Sequence, residues 1–186
     1  MRRVKVLGVI AGMLACAGIV GAEGFLGLGK MASVDYLVGY GYSKVQLPEE
    51  YHVYPLAVDF TWSLPRNKPD SHFQFQLEPY VAYAGQPSSN VEIAGSFFFK
   101  YRVMTGKFQP YIKVGSGVVY MSQSFREQST DWNFGSSAAV GFTYMLKKEW
   151  GVTGEARYRH ASNAGIKEPN SGIDSRIFLL GITRTM

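Results

Sequence analysis

The residues best suited to chemistry in this sequence are His160 and Ser162, which stand two positions apart near the end of a strand-like segment. In a β-strand, residues i and i+2 share a face, so these side chains lie roughly 7 Å apart at Cβ. A serine hydroxyl is a weak nucleophile until an adjacent base takes its proton, and an imidazole can act as that base. The pair is therefore a candidate for nucleophilic catalysis.

Strand alternation predicts which way the pair points. Glu155, Arg157 and Arg159 fall on the face opposite to His160 and Ser162. A membrane barrel cannot place three charged side chains in hydrocarbon cheaply, so these three are expected to face the lumen. His160 and Ser162 then face the membrane, which is an unusual position for a polar pair unless its substrate is a lipid.

The last segment of the chain supplies a possible third member of the site. Asp174 has the same parity as the apolar residues Phe178, Leu180 and Ile182, so it also points outward. It begins the strand that follows the His160 strand, at the same end of the barrel. Its carboxylate could accept a hydrogen bond from His160 and fix the tautomer, as the acid of a catalytic triad does. Arg176 shares that face and could contact a lipid phosphate.

The elements that must hold these residues read as eight β-strands. The clearest alternation runs from His72 to Ala84, with Phe73, Phe75, Leu77, Pro79, Val81 and Tyr83 on one face and His72, Gln74, Gln76, Glu78, Tyr80 and Ala82 on the other. A helical period would mix these two sets. Seven weaker segments are expected at Val34–Tyr42, His52–Ser63, Asn90–Arg102, Gln109–Ser122, Asn133–Leu146, Trp150–Ser162 and Asp174–Thr185.

This pattern predicts an all-β fold, an eight-stranded antiparallel transmembrane β-barrel in the outer membrane. The seventh strand should end at the cell surface, which makes the loop 163–173 extracellular. Aromatic residues near the strand ends are expected to form the two interfacial girdles of such a barrel. They are Trp62, Tyr80, Tyr83, Tyr101, Tyr120, Trp132, Tyr144 and Trp150.

The first 22 residues read as a secretory signal peptide, and residues 23–186 as the barrel. Arg2, Arg3 and Lys5 precede a short apolar run, and Val20-Gly21-Ala22 offers a cleavage site. Cys16, the only cysteine, would leave with the signal, which excludes thiol chemistry in the mature chain. Removing three of the 19 basic residues leaves 16 against 14 acidic ones, a net charge of +2 that does not suggest nucleic acid. We expect no metal and no cofactor.

The segment Tyr158–Asp174 resembles the signature of the PagL family of lipid A 3-O-deacylases. The resemblance rests on Arg159-His160-Ala161-Ser162-Asn163-Ala164-Gly165-Ile166, followed by Pro169-Asn170 and Gly172. It implies an outer-membrane enzyme that removes the ester-linked 3-hydroxyacyl chain from the 3-position of lipid A, within lipopolysaccharide. It also implies that Ser162 is the nucleophile, His160 the general base and Asn163 part of the oxyanion hole. The family pattern has glutamate as the acid, where this chain has Asp174; Glu168 in the loop is the alternative.

Three other functions fit parts of the pattern. A phospholipase could use the same atoms, and a calcium-dependent one would lose activity when divalent metal is removed. A non-enzymatic structural or adhesion barrel would carry His160 and Ser162 only as polar rim residues, and would function fully after Ser162→Ala. A soluble lipocalin-type barrel would turn its apolar face inward. The sequence leaves the oligomeric state open, including a homo-oligomer.

Overall fold

The computed structural model describes residues 27–44, 50–65, 68, 70–86, 89–123, 127 and 129–186. The expected signal peptide and Cys16 lie outside these residues. Eight β-strands form a closed antiparallel barrel in chain order, with β1 paired to β8. They are β1 (Met31–Lys44), β2 (Glu50–Leu64), β3 (Phe73–Gln86), β4 (Asn90–Arg102), β5 (Phe108–Met121), β6 (Trp132–Met145), β7 (Trp150–Ser162) and β8 (Ile173–Thr185).

The predicted fold class is confirmed, and each expected segment coincides with one strand. The bounds of Asn90–Arg102 and Trp150–Ser162 are identical to the prediction, and the largest differences lie at the ends of β1. Within the described residues, no helix is long and apolar enough to cross a membrane.

The barrel is apolar outside and polar inside, as the alternation of β3 predicts. Phe73 and Tyr83 are exposed on the outer face, whereas Gln76 and Glu78 are buried in the interior. On β8 the outward side chains Phe178, Leu180 and Ile182 are exposed, whereas the inward ones, Ile177 and Leu179, are buried in an apolar cluster of the interior. An apolar exterior around an interior that also holds charged side chains is the arrangement of a membrane-spanning barrel, and it excludes a lipocalin-type barrel with its apolar face turned inward.

Two of the eight predicted girdle residues are buried. Tyr80 lies inside the barrel, where its hydroxyl donates a hydrogen bond to Glu92. Its even position on β3 turns it toward the lumen, so its nearness to a strand end was misleading. Trp62 is fully buried in a cluster that includes Phe60 and Phe75. The expectation was wrong for these two residues.

Ion pairs fill the interior and explain how charged side chains can be buried there. They join Lys113 to Asp59 and Glu155, Arg157 to Glu78 and Glu155, and Arg159 to Glu92. Arg157 makes a bidentate contact with Glu78, in which Nη1 lies 2.6 Å from Oε1. A buried charge is tolerated only when it is paired and hydrogen-bonded. As predicted, Glu155, Arg157 and Arg159 face the interior, so the next residue on β7, His160, faces outward.

Candidate active site

His160 and Ser162 lie on the outer wall of the barrel, at the end of β7. The sheet register sets Asp174 of β8 directly beside His160 on one side and Ser136 of β6 on the other. The side chain of His160 is 43% exposed and that of Asp174 is 58% exposed. The loop 163–172 connects β7 directly to β8, so His160, Ser162 and Asp174 lie on one patch of the outer surface.

The imidazole of His160 is hydrogen-bonded to Asp174. Its Nδ1 lies 2.7 Å from the carboxylate Oδ1. An ionised carboxylate only accepts hydrogen bonds, so Nδ1 must carry the proton. In the neutral imidazole this leaves Nε2 with its lone pair, ready to accept a proton from another group. The pair thus has the orientation that a general base requires.

Tyr158 is a second polar neighbour of Asp174. It lies two residues before His160 on the same outer face and is exposed. Its partner across the sheet is Arg176, so Tyr158 lies diagonal to Asp174 on the two neighbouring strands. The hydrogen bond to the Asp174 carboxylate comes from His160. No role was predicted for Tyr158 from the sequence.

Ser162 is the last residue of β7 and is half-buried. Its partner across the sheet is Phe134 of β6. Among the described residues no hydrogen bond joins its hydroxyl to His160. Catalytic hydrogen bonds are often long in a substrate-free enzyme and tighten when substrate binds, so this geometry is compatible with a nucleophile and its base.

Asn163 points away from the pair and organises the loop. It is fully buried, its Oδ1 accepts a hydrogen bond from Gly165 N at 3.0 Å, and its Nδ2 donates to Lys167 O at 2.7 Å. The reason is again alternation: the residue after an outward-facing Ser162 turns inward. Both ends of the Asn163 amide are therefore engaged within the loop.

The two candidate acids separate clearly. Asp174 contacts His160, whereas Glu168 uses its Oε2 to accept a hydrogen bond from Asn170 N at 3.1 Å. Asn170 in turn accepts a hydrogen bond from Asn163 N through its own side chain, at 2.9 Å. Glu168 thus contributes to the folding of the loop. Arg176 is exposed on the outer face of β8, with its guanidinium carbon 5.7 Å from the centre of the Tyr42 ring.

Gly172 is a neighbour of His160. It belongs to the sequence motif, but no role was predicted for it. It ends the loop with a positive φ of 77° and lies against the imidazole ring. No group of three or more His, Cys, Asp or Glu side chains within the described residues is placed to hold a metal ion. The side chains of Ser162, His160 and Asp174 offer a hydroxyl, an imidazole and a carboxylate at this patch.

The chain matches known proteins in sequence. The family model described as lipid A 3-O-deacylase (PagL) matches residues 52–183, which include His160, Ser162 and Asp174. The chain is 39% identical over 77 residues to lipid A deacylase PagL of Bordetella bronchiseptica. That match spans 40% of this chain and 40% of the relative.

Two solved structures superpose on this barrel. The outer membrane enzyme PagL superposes with a TM-score of 0.59 at 19% identity, covering 83% of this chain and 100% of that one. Neisserial surface protein A superposes with the same TM-score at 13% identity, covering 83% of this chain and 96% of that one. Since these two scores are equal, the superposition establishes the fold, and the family assignment depends on the sequence match.

Proposed function

Because the chain belongs to the lipid A 3-O-deacylase (PagL) family of outer-membrane barrels, we propose that it is a serine esterase acting on lipid A. The bond cleaved is the ester that attaches the 3-hydroxyacyl chain to the 3-position of the sugar. The observation that supports this most directly is the hydrogen bond between His160 and Asp174 on the outer wall, with Ser162 on the same face. A lipid ester can reach this patch without leaving the membrane.

The reaction proceeds in two acyl-transfer steps. His160 Nε2 takes the proton of the Ser162 hydroxyl as the oxygen attacks the ester carbonyl. The resulting imidazolium is stabilised by the carboxylate of Asp174, which keeps its charge throughout. Collapse of the tetrahedral intermediate releases the sugar hydroxyl, which takes the proton back from His160. Water, activated by the same imidazole, then hydrolyses the acyl-enzyme and releases the 3-hydroxy fatty acid.

The negative charge that develops on the carbonyl oxygen requires hydrogen-bond donors aimed at it. We place these donors at the start of the loop 163–172, next to Ser162. Asn163 contributes by shaping this loop through its hydrogen bonds to Gly165 and Lys167. Its role in the oxyanion hole is then to position the loop.

The test compares the wild-type barrel, refolded in detergent, with Ser162→Ala and His160→Ala on purified lipid A. Mass spectrometry should find loss of one 3-hydroxyacyl chain with the wild type alone. Addition of a chelator should leave the rate unchanged, in contrast to a calcium-dependent phospholipase. If a folded, embedded wild type releases nothing, the structural-barrel interpretation takes its place.

Alanine variants of two further serines test whether Ser162 is the nucleophile. Ser136 lies beside His160 on β6 and carries an exposed hydroxyl that the imidazole could also activate. Loss of activity in Ser136→Ala, with activity retained in Ser162→Ala, would transfer the nucleophile to β6. Ser116 is the partner of Ser136 on β5, one strand further from His160, and Ser116→Ala controls for removing a hydroxyl from the same face of the barrel.

A further inference from the structure

We infer that Gly172 is a positioning residue of the active site, because the bare face of its Cα forms the wall that holds the His160 imidazole in line with Ser162. This inference rests on the proposed function for its catalytic consequence. It adds a residue that touches neither the substrate nor the reacting atoms and acts only through His160.

The contact is too close to admit any side chain. A Cβ built on Gly172 would lie 2.5 Å from Cε1 and 2.9 Å from Nε2 of His160. Unbonded carbon atoms normally approach to roughly 3.5–4.0 Å. The two ring atoms nearest to Gly172 include Nε2, the nitrogen that must receive the serine proton. Glycine therefore fixes the position of the reactive side of the ring.

The backbone at Gly172 has little freedom to move away from the ring. Gly172 N donates a hydrogen bond to Glu127 O, at 3.2 Å, which ties it to the loop between β5 and β6. The next residue, Ile173, is fully buried and paired with Ala161 across the sheet. A Cβ on Gly172 would also lie 3.1 Å from Ala161 O. The backbone is held on both sides, so an added methyl group must displace the imidazole.

His160 can yield to such a push because its side chain is 43% exposed at the outer surface. Rotation of an exposed imidazole costs the fold little, but it moves Nε2 relative to Ser162 and strains the 2.7 Å hydrogen bond to Asp174. Misplacing a reacting group by 1 Å costs a rate factor of roughly a hundred. Gly172→Ala should therefore affect catalysis much more than stability.

The matched control is Gly106, in the turn between β4 and β5 at the other end of the barrel. It also has a positive φ, of 110°, and a Cβ there would meet no atom within 4 Å. Both alanine variants force a side chain into the left-handed region, which costs about 1–2 kcal/mol. Only Gly172→Ala adds the contact with His160.

The experiment measures the imidazole signals of ¹⁵N-histidine-labelled protein in detergent micelles, together with lipid A turnover. His160→Ala identifies the signals of His160 among the three histidines. Gly172→Ala should shift the His160 signals and lower kcat about a hundredfold with little change in KM, because substrate binding does not depend on Nε2. Gly106→Ala should leave both unchanged. Wild-type His160 signals in folded Gly172→Ala would overturn the inference, whatever the turnover.

Failure of the proposed function would look different, since His160 signals would shift in Gly172→Ala while the wild type hydrolysed nothing. A double-mutant cycle covers the case in which Gly172→Ala folds poorly. Stability lost through the clash should return when His160 is also replaced by alanine, because the ring that obstructs the methyl group is gone. An equal loss of stability in the presence and absence of His160 would show that the methyl group meets something else, and would reject the inference.

Discussion

Asp174→Asn is expected to lower the deacylation rate about a hundredfold while leaving the barrel folded. The substitution keeps the shape of the side chain and removes its charge. The wild-type carboxylate fixes the proton on Nδ1 of His160, 2.7 Å away, whereas an amide can present either an oxygen or an NH₂ group. The variant therefore loses the attraction for the imidazolium and part of the control over its tautomer.

The size of this rate loss depends on the separation of the two charge centres and on the solvent exposure of Asp174. The charges are spread over the ring and the carboxylate, so their centres lie further apart than the bonded atoms. Two unit charges about 4 Å apart attract by about 4 kcal/mol at an effective dielectric constant of 20 and by about 1 kcal/mol in bulk water. Asp174 is 58% exposed on the outer wall, at the end of a membrane strand, so its surroundings lie between these limits. An intermediate loss of about 2.7 kcal/mol in transition-state stabilisation is a rate factor of about a hundred.

The assay follows release of the 3-hydroxy fatty acid by mass spectrometry under single-turnover conditions, which report the chemical step. Glu168→Gln is the matched control, because it also neutralises one carboxylate of the same region. Glu168 is engaged with Asn170 N in the loop, so its amide variant should keep most of the activity. A wild-type rate for Asp174→Asn, or a larger loss for Glu168→Gln, would refute the assignment of the acid.

Three other substitutions test separate parts of the molecule. Tyr158→Phe removes an exposed hydroxyl diagonal to Asp174, and because the hydrogen bond from His160 to Asp174 is kept, kcat should fall by no more than about twofold in the single-turnover assay. Arg176→Gln should raise KM about tenfold for phosphorylated lipid A and not for the dephosphorylated form, if the exposed guanidinium binds a phosphate. Arg159→Met leaves Glu92 buried without its cation and should lower the free energy of unfolding by about 3–5 kcal/mol, measured with urea in vesicles. Adding Glu92→Gln to Arg159→Met should recover much of that loss, and no recovery would contradict the role of the pair.

The fold was predictable because its signal has a period of two that repeats along eight segments. On β3 the alternation of Phe73, Phe75 and Leu77 with Gln74, Gln76 and Glu78 is long enough to exclude a helix and to identify both faces. The same rule placed Arg157 inside and His160 outside. The girdle prediction was wrong for Tyr80 because it considered nearness to a strand end and ignored this rule. Alternation turns Tyr80 inward, where its hydroxyl donates a hydrogen bond to Glu92.

Within the candidate site, the sequence predicted only the positions of the residues that lie on strands. His160, Ser162 and Asp174 project from regular strands, so parity and register bring them together. Asn163 and Gly172 belong to the loop, where the period of two ends and hydrogen bonds decide the geometry. The engagement of the Asn163 amide by Gly165 and Lys167 depends on the path of the whole loop, as does the contact of Gly172 with the ring. No pattern in the sequence specifies that path.

Alternation along β7 also explains how one strand can serve both stability and chemistry. Arg159 is buried and pairs with Glu92 inside the barrel, while the next residue, His160, meets Asp174 on the outer surface. Neighbouring side chains therefore experience different surroundings, one a closed network of charges and the other the lipid. The interior ion pairs hold β7 against the rest of the barrel, and this rigid strand fixes the height and direction of His160. The active site that we propose on the outer wall can then act on a substrate that remains in the membrane, because the ion pairs of β7 lie on the other side of the sheet.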